Sequence, residues 1–201
     1  MGDAAHHAHS AFPDDERARA AAWTAAAAQA RVRAALESIY TDVAAAIESR
    51  GPACWASGRC CNFEKAGHRL YVTGLEAAYT VVGLRQGTGP ALTRASLDAA
   101  LARGGCPFQV DNLCGVHVIK PLACRVYFCD RSAQDWQREL SERMHERVRA
   151  VHGEHAIEYR YAEWRSLLSM FVEAGLGVEG AGGDSGAGRV PLRVLPKNAP
   201  S

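Results

Sequence analysis

The sequence has no excess of either charge, no long apolar run and no Cys-x-x-Cys pair, and each lack closes a class of function. Lys and Arg total 23 against 22 Asp and Glu, a net charge of +1. That balance gives no global reason to expect nucleic acid or an anionic membrane as partner. No apolar stretch approaches the roughly 20 residues that cross a bilayer. The opening residues, Met1 to Ala18, lack a basic segment followed by an apolar one, the layout of a secretory signal. His6 stands where a myristoylation signal carries Ser or Thr. The expectation is a cytoplasmic protein with no membrane and no nucleic-acid partner. Without a Cys-x-x-Cys knuckle the usual zinc-ribbon fold also loses support.

What is present is a balanced globular composition with one anomaly. The 201 residues are 48% hydrophobic and 22% charged, the proportions of a soluble domain with a real core. Seven cysteines, an odd number, all fall between residues 54 and 129. A reducing cytosol keeps such thiols free, so a disulfide framework accounts for them poorly. Single buried cysteines pack as small hydrophobes, but seven gathered in one stretch point to metal binding.

Periodicity predicts a mainly α fold: a single helical domain with irregular cysteine-rich segments between helices and one short β-hairpin. Residues 1–13, small, polar and carrying His6, His7 and His9, read as a disordered N-terminus. Pro13 to Arg50 reads as one long helix, opened by Asp14, Asp15 and Glu16 where the helix dipole favours acids. Val32, Leu36, Ile39, Val43 and Ile47 form its apolar stripe, and Gly51-Pro52 stops it. His68 to Val72 alternates like a strand. Thr73 and Glu76 have capping-box spacing, predicting a helix to about Arg85, and a second short helix spans Leu92 to Ala102. Residues 106–130 lack helical periodicity, and Asp111-Asn112 suits a hairpin turn. Ser132 with Asp135 signals a helix start, followed by the buried face Trp136, Leu140, Met144, Val148 and Val151. Ile157, Tyr161, Trp164, Leu168 and Phe171 mark a last helix to about Ala174, with Tyr159 and Tyr161 read as core. The domain is thus expected over 14–175, its central motif over 54–130, and a flexible Gly- and Pro-containing tail over 176–201.

The thiols fall in two groups. Cys54, Cys60 and Cys61 form the first; Cys106, Cys114, Cys124 and Cys129 form the second. A tetrahedral ion wants thiolates about 2.3 Å away, delivered by turns that fold back on each other. Gly58, Pro107, Gly115 and Pro121 supply turn chemistry in both groups, and helices carrying Trp23, Trp136 and Trp164 would brace them. Residues 54–130 hold eight Lys or Arg against five Asp or Glu, the sense of charge that a buried anionic thiolate centre needs nearby. Arg59 and Arg125 each adjoin a cysteine and are candidate cations for it, or else ordinary surface arginines. His117, three after Cys114, allows a Cys-x-x-His zinc pair but reads more readily as a hairpin residue. His68 and His117 are also candidate partners for a nucleophilic cysteine, with nothing in the sequence to order them. Cys106-Pro107 has the form seen in ferredoxin ligation. Spacing decides neither the metal nor which four cysteines ligate.

The combination C-W-A-S-G-R-C-C, then C-P-F, then a lone Cys, then K-P-L-A-C-R-V-Y-F-C resembles the YkgJ-like cysteine-cluster proteins, described as a zinc- or iron-chelating domain. The likeness covers about residues 54–130. Cys54, Cys60, Cys61, Cys106, Cys114, Cys124 and Cys129 fall on seven of the eight family cysteines. Ser57 stands at the eighth, Lys120 replaces an Arg, and Val72 to Glu76 matches the helix start between the groups. The resemblance implies a bound iron–sulfur cluster, or an iron or zinc ion, on these seven cysteines. Serine is a poor ligand for a soft site, so Ser57 is not expected to coordinate. A similar cluster occurs in flagellin lysine methylases, which implies a protein lysine methyltransferase as one alternative. No loop here has the context of a nucleoside site, since Gly180-Ala-Gly-Gly183 follows no strand. The other alternative is a helical interaction domain stapled by zinc.

Overall fold

The computed structural model describes residues 12–52, 57–128 and 130–179. The expectations for residues 1–11, Cys54, Cys129, and the tail from 180 onward lie outside these. The fold is mainly helical. The helices are α1 (Asp14–Ala28), α2 (Ala30–Arg50), α3 (Phe63–Ala66), α4 (Gly74–Arg85), α5 (Arg94–Ala102), α6 (Leu122–Val126), α7 (Gln134–Glu154) and α8 (Trp164–Glu173). Two small antiparallel ladders join them: β1 (Tyr71–Thr73) with β4 (Tyr161–Glu163), and β2 (Gln109–Val110) with β3 (Leu113–Cys114).

The central element is α4, whose residues from Gly74 to Leu84 are all buried. A helix apolar on every side belongs inside a core, and α1, α8 and the loop before α6 enclose this one. Gly74 is required at its start, because any Cβ there would run into the indole of Trp23 on α1. Trp23 is buried and donates its indole N–H to the Glu158 carbonyl at 2.9 Å. The single long helix expected over 13–50 is instead two, broken at Gln29, whose backbone is extended (φ −69°, ψ 129°). The buried face of α1 is Ala20, Trp23, Ala26 and Ala27; that of α2 is Val32, Leu36, Ile39, Tyr40 and Val43. At about 3.6 residues per turn, Trp23 and Val32 would lie half a turn apart on one straight helix. The break lets both stripes face the same core.

Further expectations need correction. The last helix starts at Trp164, because 161–163 pair with β1 as a strand, and Tyr159 and Tyr161 are exposed rather than core. The turn before α7 is capped by Asp130, which accepts from Ser132 N–H and Oγ–H, so Ser132 is not the cap. Residues 122–126, expected to be irregular, form α6. Past the expected boundary at 175 the chain is still folded: Leu92 and Val178 exchange two backbone hydrogen bonds of 2.8 Å.

Candidate metal centre

The site is built from two loops brought edge to edge. The first group enters through Gly58, which adopts φ +70° and leads into a 3-10 turn over Arg59–Cys61. A Cβ at Gly58 would press on the side chains of Gln109 and Asn112, so this glycine allows both the turn and the close approach of the hairpin. Gln109 Nε2 donates to the Gly58 carbonyl at 3.3 Å. The decisive link is one residue further in. Cys106 N–H donates to the Cys61 carbonyl at 2.8 Å, and Glu64 N–H donates to the Gly104 carbonyl at 3.0 Å. Backbones 45 positions apart in the chain are thereby joined at the cysteines themselves.

The hairpin forms where Asp111-Asn112 was expected to turn it, with φ of 49° and 63° at those residues, the left-handed pair of a two-residue turn. Its second strand ends on Cys114. Cys124 is placed by α6, and α6 in turn is placed by α4. Glu76, 1% exposed, closes the capping box with Thr73 as expected. Its other oxygen reaches out of α4: Oε1 accepts from Leu122 N–H at 2.8 Å and from the Tyr40 hydroxyl at 3.4 Å. One carboxylate thus caps two helices, and Thr80 Oγ1 adds a 2.8 Å bond to the Ile119 carbonyl.

Cys60, Cys61, Cys106, Cys114 and Cys124 all line one cavity of about 30 Å³, walled by Phe63, Leu70, Val116 and Trp164. All five are free thiols. Cys60 and Cys61 Sγ lie 4.0 Å apart. Thiolates at about 2.3 Å around a tetrahedral ion sit about 3.8 Å from one another. Among the described residues, no group of three or more Cys, His, Asp or Glu side chains is set to hold a metal ion as it stands. The Cys60 and Cys61 thiols are instead close enough to hydrogen-bond to each other. The neighbouring thiols of Cys106, Cys114 and Cys60 push the ionisation of Cys61 up. The neighbouring Cys61 thiol lowers Cys60 to about 6 and Cys114 to about 7, with Lys120 assisting at each. Burial pushes Cys124 up.

Two groups of orphaned atoms surround this sulfur layer. Trp164 is fully buried against the thiols, and its indole N–H has no acceptor among the described residues. Both ring nitrogens of His68 are buried without a well-aligned partner among the described residues, the Cys60 backbone lying beside them, while the ring stacks on Tyr127 at 4.8 Å. Burial lowers His68 below its ordinary value, and His117 is lowered to about 4 by burial with Lys120 and Arg125 beside it.

The arginine candidates fare differently. Arg59 is exposed. Arg125 lies 4.0 Å over the Tyr40 ring and donates to the carbonyls of Lys120 and Val118, so it braces the loop carrying Cys124. The cation nearest the thiols in effect is Lys120, which favours the thiolate at Cys60, Cys114 and Cys124; the sequence marked it only as a replacement for Arg. Ser57 is exposed, and its Oγ accepts from Arg59 N–H at 3.4 Å. The indoles expected to brace the site divide: Trp23 and Trp164 are buried, Trp136 half-buried. No protein-family model, no curated protein and no solved structure matches this chain.

Proposed function

We propose that this chain is a metal-binding protein that coordinates an iron–sulfur cluster, or an iron or zinc ion, through thiolates of both cysteine groups, as in the YkgJ-like cluster proteins. The observation that carries the reading is the shared cavity: five thiols from two separate stretches meet on one small buried space. The donor set is all sulfur, the chemistry that selects zinc, iron–sulfur clusters and other soft centres. An indole N–H without an acceptor at the same wall fits a centre rich in anionic sulfur, because buried donors otherwise find partners. Lys120 supplies positive charge on the other side. Metal–thiolate bonds would form with release of the thiol protons.

Cys60, Cys61, Cys106, Cys114 and Cys124 are the described candidates, and Cys54 and Cys129 complete the expected seven. Anaerobic purification followed by elemental analysis and an absorption spectrum tests the reading. Iron with sulfide and broad visible absorbance identifies a cluster; a colourless protein with about one zinc per chain identifies a zinc site. A natively prepared protein free of transition metal refutes both.

A further inference from the structure

The thiol layer has two unlike sides. On one it is sealed by Phe63, Leu70 and Trp164. On the other, Cys60, Cys114 and Cys124 form part of the wall of a second, open cavity of about 310 Å³. That volume lies within the range of small-molecule sites, roughly 300–1,000 Å³. Closed coordination characterises metals that only hold a fold together; an approach for ligand characterises metals that act on one.

The chemistry of the second cavity narrows what it would take. One wall is the apolar face of α2, with Tyr40, Val43 and Ile47, and Phe128 also lines the cavity. Beside the thiols stand two cations, Lys120 and Arg125, against a single acid, Glu48, on the exposed outer part of α2. Neither cation has a carboxylate partner among the described residues. Arg125 spends its donors on backbone carbonyls, whereas the Lys120 ammonium has no hydrogen-bond acceptor among the described residues, and Lys120 is half-buried. An ammonium group in that setting is a ready partner for an incoming anion.

We propose that this cavity binds a small organic carboxylate with an apolar body, its head group at Lys120 beside the sulfur layer and its body along α2. Its role as the ligand side of an open metal centre rests on the metal reading above. The cavity itself is tested separately.

Phenylbutyrate and its neutral counterpart phenylbutanol serve as matched probes, titrated by calorimetry into the full chain as isolated under anaerobic conditions, with metal content measured on the same samples. The carboxylate binds once per chain and roughly tenfold more tightly than the alcohol, the worth of about one charge-assisted hydrogen bond. Ala44 lines the cavity but is exposed on α2, so Ala44→Trp obstructs it without touching the core. That variant keeps its metal content and circular dichroism and loses binding of both probes by about tenfold or more. Lys120→Gln brings the carboxylate down to the alcohol's affinity and leaves the alcohol unchanged. Equal affinity for the two probes, or carboxylate binding indifferent to Ala44→Trp, overturns the proposal. Metal-free protein that still binds the carboxylate in an Ala44-sensitive way sinks the metal centre and leaves the anion site standing. Metal-loaded protein that binds neither probe does the reverse.

Discussion

The start of α4 and the thiol cavity are both buried and polar, and they solve that problem in opposite ways. At α4 every donor near the Glu76 carboxylate is used. Thr73 N–H and Oγ–H, Leu122 N–H and the Tyr40 hydroxyl all donate to it, so the buried acid is satisfied by neutral donors rather than by a direct ion pair. In the thiol cavity, Cys60 and Cys61 meet each other, while the Trp164 indole N–H finds no acceptor and the His68 ring no well-aligned partner among the described residues. A complete network belongs to the scaffold. An incomplete one, held in place by the complete one through Leu122, is what a site for something else looks like.

That contrast can be broken first on the sulfur side. Cys60→Ser/Cys61→Ser should remove nearly all bound metal and lower the melting temperature of the holo protein, because binding free energy of such centres is also folding free energy. Retention of full metal stoichiometry would take the first group out of the site. On the scaffold side, Glu76→Ala leaves at least three buried donors unsatisfied and should cost about 3 kcal/mol or more. Chemical denaturation of the metal-free protein would measure it. A Glu76→Ala protein as stable as the parent would mean that the two-helix cap contributes nothing.

Trp164→Phe tests the orphaned donor. Phe retains the edge-on packing against Phe108, whose ring centre lies 5.9 Å away, so the metal-free protein should lose only about 1–2 kcal/mol. Metal affinity, read by competition with a chelator, should fall about tenfold. Unchanged affinity would show that the indole N–H does not serve the centre.

The smallest expected effect is a pH slope. His117 is lowered from 6.5 to about 4 in the fold, chiefly by burial, so folding favours its neutral form. Its contribution to stability is therefore complete above about pH 6.5 and is lost as the pH falls toward 4. His117→Gln should flatten the stability profile of metal-free protein across that window. An unaltered profile would contradict the burial argument.

How far the sequence could be read follows the range of the interactions involved. The Thr73–Glu76 box and the Asp111-Asn112 turn are local: a side chain meets backbone three residues away, or two residues adopt positive φ, and both were legible. The break at Gln29 was hidden because alanine-rich sequence favours helix on either side of it, and only the opposed stripes of α1 and α2 betray it. β4 was hidden because its partner, Tyr71–Thr73, lies 90 residues away in the chain, and pairing at that distance leaves no period. The cysteine types and groups were plain, but their meeting rests on the Cys61–Cys106 backbone bond and on Glu76 reaching Leu122, which no spacing announces. Lys120 was passed over for the same reason; its weight comes from the three thiols it faces, not from its neighbours in sequence.

X-ray absorption at the metal edge of anaerobically purified protein addresses the convergence of the thiols most directly. A nearest shell dominated by sulfur at about 2.3 Å, lost together with the metal in Cys60→Ser/Cys61→Ser, is the expected result. A shell of oxygen and nitrogen alone, or a native preparation carrying no metal, would contradict it.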